Sequence, residues 1–572
     1  MSDEKENDPG ILEWLSVRPV PEWAKSRALG ALFGMLVILM VLTAFGAAFA
    51  VLISTYWQAF SDSGPSLGAG TLIIGLLGAP FLIWRTLVAQ RTVDIAQENH
   101  ITDLINKAVE GLGAEKVVRV QLRHNDGSYM TEPVSTALDA KSKPLMTEYT
   151  APNIEIRIGA ILALERLAQK NLDVHIQIME ILTAYIRQNA PASDAVDVPE
   201  LNLRDDDDRV VREAVWERWR HAYAAKTRRI LANSGANGDA VRPRADVQMA
   251  LTVIGRRTNA QKTVERDGVP SFEDSGLKAP EWTDDVSASE AWAKAMDQFK
   301  TAVREWLVRR RRYRLDLRET NLQGADFEHG DFENARFDGA QLQGARLVGA
   351  QMQGAGLVGA QMQGADLVET QMQGAVLLGA RMQGALFRGA RMQGVNLHSA
   401  QMQGAAFRLT QMQGADLVET QMQGADLSFA RMQGANLWQA RMQGADLMEA
   451  RMQGARLGLA LMQGAHIVQA RMQGANFWVA RLDSETNFTA ADVQFAALKS
   501  INLSKSTLDQ DQVNGMFGDA TVVLPGGHGP DSAQWPAHWP RHDLTNKDFR
   551  SQWQKWLANP DTYTPPELPE PT

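Results

Sequence analysis

A large apolar residue returns every five positions between about 315 and 503: Leu317, Leu322, Phe327, Phe332, Phe337, Leu342, Leu347, Met352, and onward to Leu482. A small residue, usually alanine, stands two positions before each, as at Ala325, Ala335, Ala340 and Ala345. A period of five fits neither the 3.6-residue helix nor the two-residue strand, so the stretch is an internal repeat and folds as one unit. In Ala365-Asp366-Leu367-Val368-Glu369 the alanine and the leucine flank one polar residue. Both can point inward from a short extended segment, with a turn made by the residues that follow. One unit cannot bury its own pair, whereas stacked coils bury them in a continuous core.

A second period is superposed. From Met352 to Met472 methionine takes every other centre, within Gln-Met-Gln-Gly or Arg-Met-Gln-Gly. These residues closely resemble the pentapeptide-repeat family over about a third of the chain. The resemblance implies a right-handed quadrilateral β-helix with twenty residues per coil, hence about nine coils and a rod roughly 45 Å long. Met352, Met372 and Met392 then stack in one column, with Met362 and its equivalents on the opposite face. Methionine here reads as pliant core filler. Gln353, Gln373, Gln393 and Gln423 are expected to point outward as amide ladders, with Arg431, Arg451 and Arg471 beside one of them. Most acidic groups and several exposed apolar ones fall on the other two faces. Phe429, Trp438, Leu459 and Trp478 form the candidate interaction surface, a docking site for the chain's own C-terminal wrap in the first place or else for a second protein, because desolvated aromatic anchors carry most interface energy.

The full chain has 572 residues, no cysteine and a net charge of −9. That length calls for several domains, and the mild acidity gives no polycation for nucleic acid. Residues 1–24 read as a disordered segment. Residues 25–91 read as a transmembrane helical hairpin, with uncharged runs at 28–57 and 65–84 and aromatic residues at their ends. The Lys/Arg-free link then puts both termini in the cytoplasm, with the protein in a bacterial inner membrane. Residues 92–286 form a helical domain. It has amphipathic helices at 154–168 and 173–187, an acidic helix start at Asp205–Asp208, a further helix at 244–256 and a loop from 261 to 284. A helix within 287–314 is expected to cap the open start of the rod. The rod occupies 315–503, with a one-residue register slip inside 483–486. Residues 504–572 hold a short helix begun by a capping box at Thr507 and Gln510, a second helix near 545–557 and a disordered proline-rich tail.

The motifs of catalysis are absent. There is no Gly-Lys-Ser/Thr phosphate loop, no His-Glu-x-x-His and no Gly-x-Ser-x-Gly. No enzyme, cofactor or metal site is expected. The chain as a whole resembles the membrane-anchored pentapeptide-repeat proteins of bacteria. The leading expectation is a membrane-tethered scaffold whose rod engages an unknown protein partner, a homo-oligomer being compatible. The alternative rests on resemblance: some members of the family match B-DNA in size and charge and bind DNA gyrase. That role needs an acidic rod. Leu317 to Leu482 carries 13 Asp and Glu against 13 Arg and Lys.

Overall fold

The computed structural model describes residues 67–123, 128–130, 144–201, 203, 211, 214–219, 221–222, 242–281, 289–310 and 313–567, with scattered helical positions between 35 and 57. Helix α1 (Leu67–Leu112) runs unbroken from an apolar start through Arg85, Arg91, Asp94, Glu98 and Asp103. Among the described residues no helix is long and apolar enough to cross a membrane. This overturns the expected two-span inner-membrane placement. The apolar run at 65–84 is the beginning of a longer helix of mixed polarity. The run at 28–57 falls largely outside the described residues, as do the N-terminal segment 1–24 and the acidic start Asp205–Asp208.

Strands β1 (Glu115–Gln121) and β2 (Met146–Pro152) pair antiparallel, with Val118 opposite Tyr149 and Arg119 opposite Glu148. The sequence alone reads as helical from 92 to about 118 and as irregular or weakly extended from 120 to 150, so β1 begins where a helix is expected. The ladder is reinforced by cross-strand pairs such as Arg119–Glu148 at 2.5 Å. Helices α2 (Ile154–Lys170) and α3 (His175–Asn189) follow. The side chain of Asn153 caps α2 by accepting from the Ile156 N–H. Ile161, Leu164, Ile178, Leu182 and Ile186 are fully buried, which puts one apolar stripe of each helix into a shared core. Helix α4 (Ala245–Gly255) contributes Val247, Ala250 and Ile254.

Helix α5 (Asn259–Arg266) corrects the expectation of a loop from 261 onward. Thr258 and Gln261 form a complete capping box, which starts this short helix despite its polar composition. Helix α6 (Ser289–Arg309) matches the expected long helix, but it does not cap the rod: it lies along one side of it, as described below. The helical region does the capping. Ala192 N–H donates to Glu319 O, Asn321 N–H to Ala190 O, and Asp331 N–H to Gly255 O, so the edge of the first coil is paired rather than bare.

The rod is a β-helix of twenty-residue coils. Parallel bridges join each residue to the one twenty positions later, from Asp316–Arg336 through Leu461–Arg481. Each five-residue unit closes a turn, as where Ala325 N–H donates to Leu322 O, and the third residue of that turn has positive φ. Four turns per coil make four sides. Every methionine centre from Met352 to Met472 is fully buried, and so are the alanines. The expected slip is present: from His466–Asn487 the bridges span twenty-one residues, and the extra residue lies in a loop tied by Asp483 and Thr486.

At the far end, helix α7 (Gln510–Asn514) starts from a capping box of Asp509 and Gln512, not Thr507 and Gln510. Thr507 instead accepts from the Phe488 N–H, extending the last coil. Helix α8 (Asn546–Ala558), capped by Thr545, lays Phe549 and Trp556 over Ala497 and Phe517, with Trp553 donating to Phe495 O. The chain thus closes both ends of its own solenoid.

The methionine-rich core allows a direct test of register. Ala425→Leu should overpack its coil and cost about 1–3 kcal/mol. Gln423→Leu should stay within about 0.5 kcal/mol, though not because it faces outward. Gln423 is 4% exposed and neither amide atom has a partner, so leucine removes an unsatisfied polar group. Thermal unfolding of the two variants checks this, and equal losses would contradict the inward assignment.

Candidate protein-interaction site

Each side of the rod repeats every twenty residues, so its surface can be read as rows. Two opposite sides have methionine centres: the first Met face (Met352 to Met472) and the second Met face (Met362 to Met462). Between them lie the aromatic face (centres Phe337 and Leu357 to Phe477) and the charged face (centres Leu347 to Ile467).

The chain itself covers the first Met face. Helix α6 lies on it antiparallel to the direction of coil stacking. Leu307, Val303, Phe299, Met296 and Trp292 sit over Gly354, Gly374, Gly394, Gly414 and Gly434 in turn. Fifteen helical residues span roughly 22 Å and four coils roughly 19 Å, so about one helical turn meets each coil with a modest tilt. A Cβ on Gly374 would collide with Val303, and one on Gly434 with Trp292. The glycine column is therefore a seat for the helix as well as a turn residue. Trp292, Met296, Phe299, Val303 and Trp306 form a buried cluster with Phe272.

The second Met face is covered over its first half. Val196 and Gln323 exchange two hydrogen bonds. Trp216 and Trp219, stacked at 5.1 Å, sit over Gly404 and Gly384. The glutamine ladders are not exposed. Gln353, Gln383, Gln403 and Gln453 are almost fully buried, and amides bridge successive coils, as from Gln383 to Gln401 at 2.8 Å. The sequence pattern places these side chains in solvent, whereas Gln423 and Gln443 are buried even where open space lies above Gly424 and Gly444.

The aromatic face carries Val358, Leu378, His398, Val418, Trp438, Gly458 and Trp478 in one column. Its early rows are open: nothing lies within 4 Å of a Cβ placed on Gly359 or Gly379. Trp438 and Trp478 are two coils apart, yet their rings meet edge to face at 5.4 Å. They can do so because Gly458 between them has no side chain, and a Cβ there would strike Trp438. Leu459 stands exposed in the intervening row. Three of the four candidate residues thus share one face. Phe429 does not: it lies on the opposite, charged face, where Arg408 stacks on its ring at 5.1 Å.

Leu409, Phe429, Leu459 and Val479 all have left-handed backbone, a conformation costing an ordinary residue about 1–2 kcal/mol. For β-branched Val479 it is especially unfavourable. The Met faces use glycine at the same turn position. The other two faces thus hold bulky apolar groups at a turn where glycine would be more stable.

The family model for pentapeptide repeats matches residues 316–354, 355–394, 390–428, 425–464 and 440–478. Residues 316–478 are pentapeptide repeats. Among solved structures, the chain is similar to HetL, a pentapeptide repeat protein involved in heterocyst differentiation regulation in the cyanobacterium Nostoc sp. strain PCC 7120. The identity is 26% over 38% of this chain and 89% of that one, with a TM-score of 0.25. It is also similar to QnrB1, a plasmid-mediated fluoroquinolone resistance protein, at 17% identity over 41% and 95% of the two chains, TM-score 0.24. A pentapeptide repeat protein of the Arabidopsis thaliana thylakoid lumen shares 25% over 20% and 70%, TM-score 0.10. No curated protein matches the chain.

Charge on the pentapeptide rod is sorted by face. Beyond Met352 the Met faces carry arginine only: Arg381, Arg391, Arg431, Arg441, Arg451, Arg471 and Arg481. The carboxylates from Asp366 to Glu449 all fall on the other two faces. Lys300 of α6 rests over Gly394 and Gly414. Burial depresses its ammonium below the ordinary lysine range, with Asp297 and Asp416 opposing that effect and Arg456 adding to it. Among the described residues no group of three or more His, Cys, Asp or Glu is placed to hold a metal ion.

The junction between helices and pentapeptide rod is ionic and buried. Arg257 donates to Glu265 at 2.5 Å and to Asp331 O at 2.6 Å. Lys262 meets Asp331 at 2.7 Å, and Arg310 meets Glu333 at 2.6 Å. Gln261 accepts from the Thr258 N–H, so its amide NH₂ faces His175 Nδ1, leaving His175 Nε2–H to donate to Glu265 at 2.7 Å. Burial works against ionisation of Glu265 and Asp331, yet Arg257 beside both, with His175 and Lys262, holds each below the usual carboxylate range. A carboxylate with a depressed folded pKa contributes stability above its unfolded value, near 4, and loses it as pH falls through the folded one. Hydrogen-exchange protection, corrected for the intrinsic pH dependence of exchange, should therefore hold in α3–α5 down to about pH 5 and fall below about pH 4. Protection that falls between pH 8 and 6 instead would contradict this.

Proposed function

We propose that this pentapeptide-repeat protein is a non-enzymatic scaffold. Its rod engages a protein through the aromatic face, while the Met faces serve the chain's own helices. The observation that carries this reading is the Trp438–Trp478 ring pair with exposed Leu459, on a side that α6 and the Trp216–Trp219 segment leave free. Interfaces concentrate their energy in packed aromatic residues of this kind. The C-terminal helix does not use this cluster, since Phe549, Trp553 and Trp556 are engaged at Phe517, Phe495 and Ala497. The strained backbone at Leu459 and Val479 supports the same reading, because costly conformations persist where they serve a function. A duplex-mimicking role gains no support from a rod with 13 acidic and 13 basic residues between Leu317 and Leu482.

The test is a photo-crosslinking residue placed in the full chain at Leu459, or at Met448 on the charged face as the comparison, and activated in the native cell. Adducts from position 459 in clear excess over 448 are expected. Equal yields at the two positions, or none at 459, would overturn the reading. Leu459→Gly separates stability from function. It should raise the stability of its coil by about 0.5–1 kcal/mol, the left-handed strain relieved less the entropy of glycine. The same variant should weaken crosslinking from a neighbouring position such as Gln439. A lowered melting temperature would show that Leu459 is held for packing within the rod.

A further inference from the structure

One edge of the aromatic face reads Asn396, Asp416, Asn436, Arg456, Asn476, each bridged to the next. This column is symmetric about Asn436 in everything but charge. Asp416 and Arg456 stand one coil to either side, with opposite signs. They are two coils, roughly 10 Å, apart in one chain and form no ion pair with each other; Asp416 accepts from Asn436 Nδ2 at 3.5 Å and lies, with Arg456, near Lys300 of α6. Arg456 is exposed and makes no ion pair with any described residue.

We propose that the occupant of the aromatic face is a second copy of this chain, packed face to face and antiparallel about the row Asn436–Trp438–Gln439. This deepens the scaffold reading and rests on it. A two-fold axis across that row keeps each edge of the face on its own side and reverses the coil order. Asp416 then meets Arg456 of the second copy, twice per dimer. Asn396 meets Asn476, Asn436 meets its own equivalent, and Trp438 packs on Trp438. Val418 comes opposite Gly458, and His398 opposite Trp478. A parallel dimer, with its axis along the rod, would exchange the two edges and set Asp416 against Glu419. The like charges exclude it. In the antiparallel arrangement Glu419 comes opposite Leu459 of the second copy and keeps its contacts within its own chain, to Ser399 at 3.2 Å and His398 at 3.9 Å.

Five coils of one face make a contact smaller than the roughly 800 Å² per partner of a standard interface. The dimer is therefore weak and depends on concentration. The experiment is sedimentation equilibrium of the full chain, wild type against Asp416→Arg, Arg456→Asp and the double reversal, with a thermal melt of each to confirm folding. Each single reversal places like charges together at both symmetric contacts and should weaken the dimer about tenfold or more. The double reversal restores opposite charges and should recover most of the loss. Wild-type chain that stays monomeric overturns the inference, and so does a double variant no better than the singles. If the chain is monomeric while crosslinks from Leu459 capture a different protein, the scaffold reading stands and the second copy is excluded as its occupant.

Discussion

Arg257→Met is expected to cost the junction about 3–5 kcal/mol, the penalty for leaving buried carboxylates without their cation. Arg257 is almost fully buried between Glu265 and Asp331, and its guanidinium bonds the carboxylate of one and the backbone carbonyl of the other. Its loss leaves the Glu265 carboxylate with His175 and that of Asp331 with Lys262, two charges that burial already disfavours. The effect should be local, because a chain of several domains does not unfold as one unit. Hydrogen exchange should rise in α3, α4 and α5 and in the first coil, while the coils from about 400 onward keep their protection. Uniform loss along the rod would mean that the junction nucleates the whole solenoid. No change would mean that its charges are solvated.

The second large effect concerns α6. Gly374→Leu suffers twice: its φ of +66° is left-handed, and a side chain would collide with Val303. Strain of about 1–2 kcal/mol and overpacking of about 1–3 kcal/mol together predict a loss of roughly 2–5 kcal/mol, with α6 lifted from its seat. Gly379→Leu has nearly the same φ, +63°, but open space above it. It should lose only the strain, about 1–2 kcal/mol. Hydrogen exchange of α6 together with thermal unfolding separates the two. Equal losses, with α6 still protected in both, would show that the glycine column serves the turn alone.

The solenoid was legible in the sequence because its signal is periodic and local: a buried centre every five residues, a methionine every ten, and a slip near 483. The coverings were not legible. Trp292, Met296, Phe299, Val303 and Trp306 recur at helical spacing, which announces an apolar stripe but not the surface that receives it. One signal was available and unused. On the Met faces the turn position is glycine in every row from Gly354 to Gly464, whereas on the other faces it becomes Ser399, Glu419, Phe429, Leu459 or Val479. A glycine column permits the close approach that α6 and Trp216 make, although Gly424 and Gly444 in the column beneath Trp216 have open space above them. Twenty-residue coils place Trp438, Leu459 and Trp478 on one face and Phe429 on the opposite one. The strand pair β1–β2 was missed because a long intervening segment separates strands that only cross-strand pairing reveals. The expected membrane spans came from uncharged runs read in isolation, whereas the second run continues directly into the charged length of α1.

The central claim is that the chain devotes two faces of its rod to itself and leaves the aromatic face open. Carbene footprinting of the dilute full chain, read by mass spectrometry residue by residue, tests it most directly. The account predicts strong labelling at Val358, Leu378 and Leu459, and protection of Phe299, Val303 and Trp306 beneath α6. Labelling of the α6 residues as strong as that of Leu459, or protection of the aromatic face within the monomer, would contradict it.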